Sequence, residues 1–147
     1  MTPLVEDTSN GRTLASYEHH VAEYIDGTSQ VVTGAAKDWI DAALAGVPLG
    51  ASILELGSAF GRDAAYIASK GYSVECSDAV GSFVSHLRDK GFRARLFNAI
   101  TDELAEAYDL IFANAVLLHF TEQEFVSVMA KLCRSLRPGG RLAISLK

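Results

Sequence analysis

From residue 51 to residue 147, short apolar runs alternate with helical stretches that close on glycine. This alternation constrains the chain more than any other feature. ASILELG reads as a short buried strand and RDAAYIASKG as a helix ended by Gly71. YSVECSD is a second strand, and GSFVSHLRDKG a helix ended by Gly91. FRARLFN is a third strand, followed by the short polar stretch ITDELAEA, and YDLIFANAV is a fourth, strongly apolar one. TEQEFVSVMAKLCRSLRPGG is a helix opened by Thr121, with Glu124 spaced to complete a capping box, and RLAISLK is a fifth strand. Strands separated by helices connect through right-handed crossovers, which builds a parallel sheet covered on both faces. The strands agree, because burial on both sides removes the polar alternation of a half-exposed strand. The expected class is α/β, doubly wound and five-stranded.

Ahead of the alternation, residues 1–12 (MTPLVEDTSNGR) have the composition of a flexible tail. Leu14, Tyr17, Val21, Tyr24 and Ile25 then recur at helical steps up to Gly27. A second helix is expected from Ser29 to Ala45, with Val32, Ala36, Trp39, Ile40, Ala43 and Leu44 on one stripe, and GVPLG breaks it. The domain reading is a tail and a cap of two helices over residues 1–50 and the sheet domain over 51–147, forming one compact unit.

With 147 residues, 49% apolar and 21% charged, the chain is the size of one domain and can bury a core without staples. Thirteen Lys and Arg against 18 Asp and Glu leave a net charge of −5, which argues against a broad nucleic-acid surface. Cys76 and Cys133 stand far apart, with neither zinc spacing nor a disulfide framework. The opening residues are polar and acidic, unlike a signal peptide, so a cytoplasmic location is expected. The apolar stretch from Leu110 to Phe120 is too short for a membrane span and carries Asn114 and His119.

In a doubly wound sheet, ligands sit beyond the carboxyl ends of the strands. The first strand here runs into Glu55-Leu56-Gly57-Ser58-Ala59-Phe60-Gly61-Arg62-Asp63. Gly57 permits a tight turn, and Gly61 lets the next helix pack close with its free N–H groups toward the cleft. The second strand ends on Asp78, where an acid can accept both hydroxyls of a ribose or, alternatively, cap the following helix. Turn and acid together imply a nucleoside-containing ligand. A dinucleotide fingerprint read from Gly57 would need glycine at 59 and 62, where Ala59 and Arg62 stand, and no Lys-Ser/Thr follows Gly61 as a P-loop requires.

ILELGSAFGRD resembles motif I of the class I S-adenosylmethionine-dependent methyltransferases. YSVECSDAV resembles that family's second-strand motif, AYDLIFANAVLLHF its fourth-strand motif, and LRPGGRLAISL its turn into the fifth strand. The resemblance implies a Rossmann-like, mostly parallel sheet of order 3-2-1-4-5. It also implies S-adenosyl-L-methionine as cofactor and S-adenosylhomocysteine as product. By the same resemblance, Gly57, Ser58, Ala59 and Gly61 hold the methionyl part, Glu55 orders that end, and Arg62 meets its carboxylate. Asp78 and Ala79 take the ribose, Asn98 and Ala99 flank the adenine, and Asn114 lies beneath the methyl group. Asn98 reads equally well as a turn residue, and Asp63 as a helix-end charge.

A sulfonium methyl is already activated, so the protein needs chiefly to hold the nucleophile in line. His119, Tyr17 and Tyr24 are the candidate catalytic residues, His119 or a tyrosine serving as base where the acceptor is a hydroxyl or a protonated amine. Asn114-Ala115-Val116-Leu117 lacks the Asn/Asp-Pro-Pro-aromatic run of DNA-amino methyltransferases, so a small-molecule acceptor is expected and no nucleic acid, membrane or metal partner. The strands six and seven usual in the family are absent from the sequence, which leaves the fifth strand as an open edge for homo-oligomer formation. Two alternatives stand beside this reading: a truncated or non-catalytic S-adenosylmethionine-binding domain, and an NAD-linked Rossmann oxidoreductase.

Overall fold

The computed structural model describes residues 8–146. Its five strands are β1 (Ile53–Leu56), β2 (Val74–Asp78), β3 (Ala94–Leu96), β4 (Tyr108–Asn114) and β5 (Leu136–Ser145). The helices are α1 (Ser9–His19), α2 (Val21–Gly27), α3 (Gly34–Leu44), α4 (Arg62–Ser69), α5 (Gly81–Asp89) and α6 (Glu122–Arg134). The strands form one sheet in the order β3-β2-β1-β4-β5, and every pairing is parallel. The order reverses between β1 and β4, which marks the switch point beside which doubly wound folds bind ligands.

Although β1 is buried along its whole length, its side chains divide by the period of two. Ile53 joins Val74, Cys76, Leu110 and Phe112 in a core facing α3, α4 and α5. Leu54 and Leu56 join Ile111, Ala113, Val128 and Leu132 in a second core beneath α6. Two cores on opposite faces explain the continuous apolar runs of the central strands. α6 opens with the expected capping box: Glu124 N–H donates to Thr121 Oγ1 at 3.2 Å, and Thr121 N–H donates to Glu124 Oε1 at 2.9 Å.

The N-terminal segment departs from the pattern reading. Part of the expected tail, residues 1–7, lies outside the described residues. Ser9 to Arg12 are helical rather than tail-like, because Thr8 caps the helix by accepting the Gly11 N–H at 2.8 Å. The run expected to continue to Gly27 is broken at His20, whose N–H is shared between Ser16 O and Tyr17 O. The next helix starts at Gly34 rather than Ser29, since Gln30 turns back to donate to Ile25 O at 2.9 Å. There are thus three helices here where the sequence predicts two. β5 also begins earlier than expected: Leu136 pairs with Tyr108, and the ladder resumes at Arg141 opposite Leu110, with Pro138-Gly139-Gly140 bulged out between.

Candidate functional site

The β1–α4 turn is built from unusual backbone. Gly57 has φ +64°, and a Cβ there would overlap Val116 Cγ2 and lie 3.6 Å from Val116 Cβ. Gly61 caps α4 at φ +92°. Ala59 (φ +51°) and Ala115 (φ +56°) take the left-handed conformation despite their Cβ atoms. Such positions are costly for alanine and cluster at functional sites. The turn is fastened to β2 on both sides: Ser58 N–H donates to Ser77 O at 2.9 Å, and Ala59 N–H donates to Asp78 Oδ2 at 2.9 Å.

These elements surround a cavity of about 260 Å³ at the carboxyl end of the sheet. Gly57, Ala59, Asp78, Ala79, Asn98, Ala99 and Asn114 line it, as do Tyr17, Tyr24 and His119. Glu55, Ser58, Gly61 and Arg62 do not. Residues that pattern reading does not single out complete the lining, among them Thr13 and Leu14 of α1, Val80, Phe83, Phe97 and Val116. The helical spacing of Leu14, Tyr17 and Tyr24 is the signal for the part that α1 and α2 contribute, since that stripe lines the cavity.

Asp78 is buried, and its Oδ1 accepts the Val80 N–H at 2.9 Å while its Oδ2 holds the turn. Burial raises its carboxyl above the usual range, and the amides of Val80 and Ala59 pull it back. It is not the cap of α5, a position held by Val80. Asn98 serves its loop: its Oδ1 accepts the Ile100 N–H at 3.0 Å, leaving the Nδ2 group as the donor for a ligand edge. Arg62 donates Nε to Asp63 Oδ1 at 3.0 Å, and Asn114 Nδ2 donates to Asp63 Oδ2 at 2.8 Å. Asp63 therefore does more than face a helix end, because it fixes the Asn114 amide and turns its oxygen away from itself.

An aromatic group closes the far side. Tyr17 meets Tyr24 edge-on with ring centres 5.7 Å apart, and Tyr24 meets Phe83 at 5.5 Å. Tyr17 Oη lies 3.4 Å from His119 Nε2, joining α1 to the short 3₁₀ turn after β4. Burial raises the Tyr24 hydroxyl above its ordinary value, and Tyr17 adds to this. α1 is anchored over the cavity by Glu18, which accepts hydrogen bonds from the Ser82 N–H and hydroxyl at the start of α5. No helix among the described residues is long and apolar enough to cross a membrane.

Residues 53–140 match the family model described as a methyltransferase domain. The chain is 30% identical over 109 residues to methyltransferase GfsG of Streptomyces halstedii, covering 67% of this chain and 38% of that protein. Among solved structures it resembles the CcbJ methyltransferase of Streptomyces caelestis, with a TM-score of 0.68 and 24% identity over 85% of this chain and 54% of that one. It also resembles DhpI, solved as a DhpI–SAM–HEP complex, with a TM-score of 0.72 and 19% identity over 97% of this chain and 66% of that one. At these identities the structural likenesses establish the fold. The chain spans less than two fifths of GfsG and about half of CcbJ.

Proposed function

The chain belongs to the class I S-adenosylmethionine-dependent methyltransferase family, and from that premise we propose that it transfers the sulfonium methyl group to a small-molecule acceptor. The observation that carries this reading is the meeting of the Gly57 turn and the Asp78 carboxyl around one cavity at the switch point. The residues fit the cofactor. Gly57 brings bare backbone to the cavity wall at a left-handed φ, Asp78 offers acceptor oxygens, and Asn98 keeps free donors beside Ala99 and Phe97. DhpI, of the same fold, is described in complex with SAM.

The cofactor supplies an electrophilic methyl carbon on a positively charged sulfur, so the protein's task is to position and shield. The β1–α4 turn at Gly57 and Ala59 would hold the methionyl end, Asp78 the ribose between, and Asn98 the adenine end. The apolar walls from Tyr17, Tyr24, Phe83 and Val116 exclude water from the reacting centre. Asn114, held by Asp63, presents its amide oxygen beside the cavity. His119 is the base when the nucleophile is a hydroxyl, and Tyr17 Oη, 3.4 Å from its Nε2, holds the ring in place. Loss of the base costs about 10²–10⁴-fold in turnover, so His119→Ala lowers turnover while leaving S-adenosylhomocysteine affinity within a few-fold.

Calorimetric titration with S-adenosylhomocysteine, with NADH in parallel, tests the reading. Binding of the former alone is expected. Binding of NADH alone would establish the oxidoreductase alternative. Binding of S-adenosylhomocysteine without turnover on any acceptor would assign a cofactor-binding domain, the reading that the partial span of GfsG keeps open.

A further inference from the structure

α6 buries Val128, Lys131 and Leu132 on one face, so the helical period puts a lysine where the second core would take an apolar side chain. Lys131 is only 7% exposed, and none of the ion pairs among the described residues includes it. A buried ammonium with no carboxylate beside it is strongly disfavoured unless its N–H groups find acceptors. They find two backbone carbonyls: Nζ donates to Ala99 O at 2.8 Å and to Asp102 O. Both belong to the turn that follows β3.

That turn is closed on itself around Asn98. Asn98 O accepts the Thr101 and Asp102 N–H groups at 3.2 and 2.8 Å, and Asn98 N–H donates to Asp102 Oδ2 at 2.8 Å. Its side chain accepts the Ile100 N–H at 3.0 Å. Among the described residues, every hydrogen bond that leaves residues 98–102 runs to Lys131. Ala99 and Ile100 also pack on the second core. Apolar burial is non-directional, however, whereas two hydrogen bonds from one ammonium set how the turn faces. The face it shows to the cavity carries Asn98 and Ala99, while no residue of α6 reaches the cavity.

Resting on the methyltransferase reading, we propose that Lys131 is a positioning residue for recognition of the adenine ring. It touches no ligand. From behind the turn it holds Ala99 O and Asp102 O, and through them the Asn98 Nδ2 donor that reads the base edge. Without the ammonium, both carbonyls lose their donor and the turn loses its fixed direction, so the Asn98 amide no longer tells one base edge from another.

Titration calorimetry with S-adenosylhomocysteine and with S-inosylhomocysteine tests this. Adenine presents N1 as an acceptor to such a donor, whereas hypoxanthine carries a proton there. The wild-type chain is expected to prefer the adenine ligand by about tenfold or more, because the exchange sets a donor against a donor. Lys131→Met keeps the length of the side chain and removes the ammonium, and the preference is expected to shrink to within about threefold. A lysine that merely stabilised the fold would shift the unfolding midpoint and leave the ratio of the two affinities unchanged, and that result overturns the proposal. Equal affinities in the wild type overturn it too, since there is then no base preference for the turn to hold. Binding of neither ligand by the wild type overturns the methyltransferase reading instead. Should Lys131→Met fail to fold or to bind, Lys131→Gln, which keeps a neutral donor, decides the matter. A reduced ratio in that variant supports the positioning role, and an unchanged one refutes it.

Discussion

Replacing Gly57 with alanine tests how the site is built, because two separate costs meet at one Cβ. The residue sits at φ +64°, where an L side chain costs about 1–2 kcal/mol. The new methyl group would also overlap Val116 Cγ2, and forcing an extra carbon into a packed position costs about 1–3 kcal/mol. Gly57→Ala should therefore lose about 2–5 kcal/mol in urea unfolding. It should also lose at least about tenfold in S-adenosylhomocysteine affinity, since the methyl group stands at the cavity wall. Val116 is only half-buried, so trimming it removes the overlap without opening a deep void. A cycle of Gly57→Ala, Val116→Ala and the double variant should return about 1–3 kcal/mol of coupling, leaving the backbone strain as the remainder. A Gly57→Ala protein within about 0.5 kcal/mol of wild type, or a cycle with no coupling, would refute this account of the turn.

Ala59 already has the strained backbone, so Ala59→Gly should leave stability within about 0.5 kcal/mol of wild type, the relieved strain offsetting the added chain entropy. The same change at the exposed helical Ala65 should cost about 1 kcal/mol, and the pair can be compared in one set of unfolding curves. Asp78→Asn should weaken S-adenosylhomocysteine binding by about 10- to 100-fold, the worth of a hydrogen bond to a charged group, measured by titration. Glu55, shifted from an ordinary 4.5 up to about 8, makes the ligand-free protein lose stability as pH rises. Below 4.5 both folded and unfolded chains hold the proton; between 4.5 and 8 only the folded chain does; above 8 the loss is complete. The ceiling of that loss is on the order of 4–5 kcal/mol, and Glu55→Gln should flatten the profile of unfolding midpoint against pH.

The sheet domain was legible in the sequence because a core on each face makes the central strands apolar throughout. Ile53 and Leu54 serve opposite faces, and an all-apolar run between glycine-closed helices admits few other folds. The β1–α4 turn was legible too: Gly57 and Gly61 are required by backbone conformation, and Asp78 stands at a strand end. The helical cap was harder to read. Thr8, Ser9, Asn10 and Gly11 have loop composition, yet one side-chain cap is enough to start α1 there. Roles created by contacts between distant segments were hidden altogether. Asp63 reads as a helix-end charge until Asn114, 51 residues on, is found donating to it. Ser58 also tethers the turn, its hydroxyl accepting the Ser77 N–H from 19 residues on, which no local pattern announces. Arg62 likewise spends its Nε on the adjacent Asp63, which no spacing rule announces.

The most direct test of the central claim is a crystal structure of this chain with S-adenosylhomocysteine. The account predicts the ribose hydroxyls on the Asp78 carboxylate, the homocysteine arm along the Gly57–Gly61 turn, and the adenine beside Asn98 and Ala99. A ligand seated elsewhere, with Asp78 still bonded only to the Ala59 and Val80 amides, would contradict it.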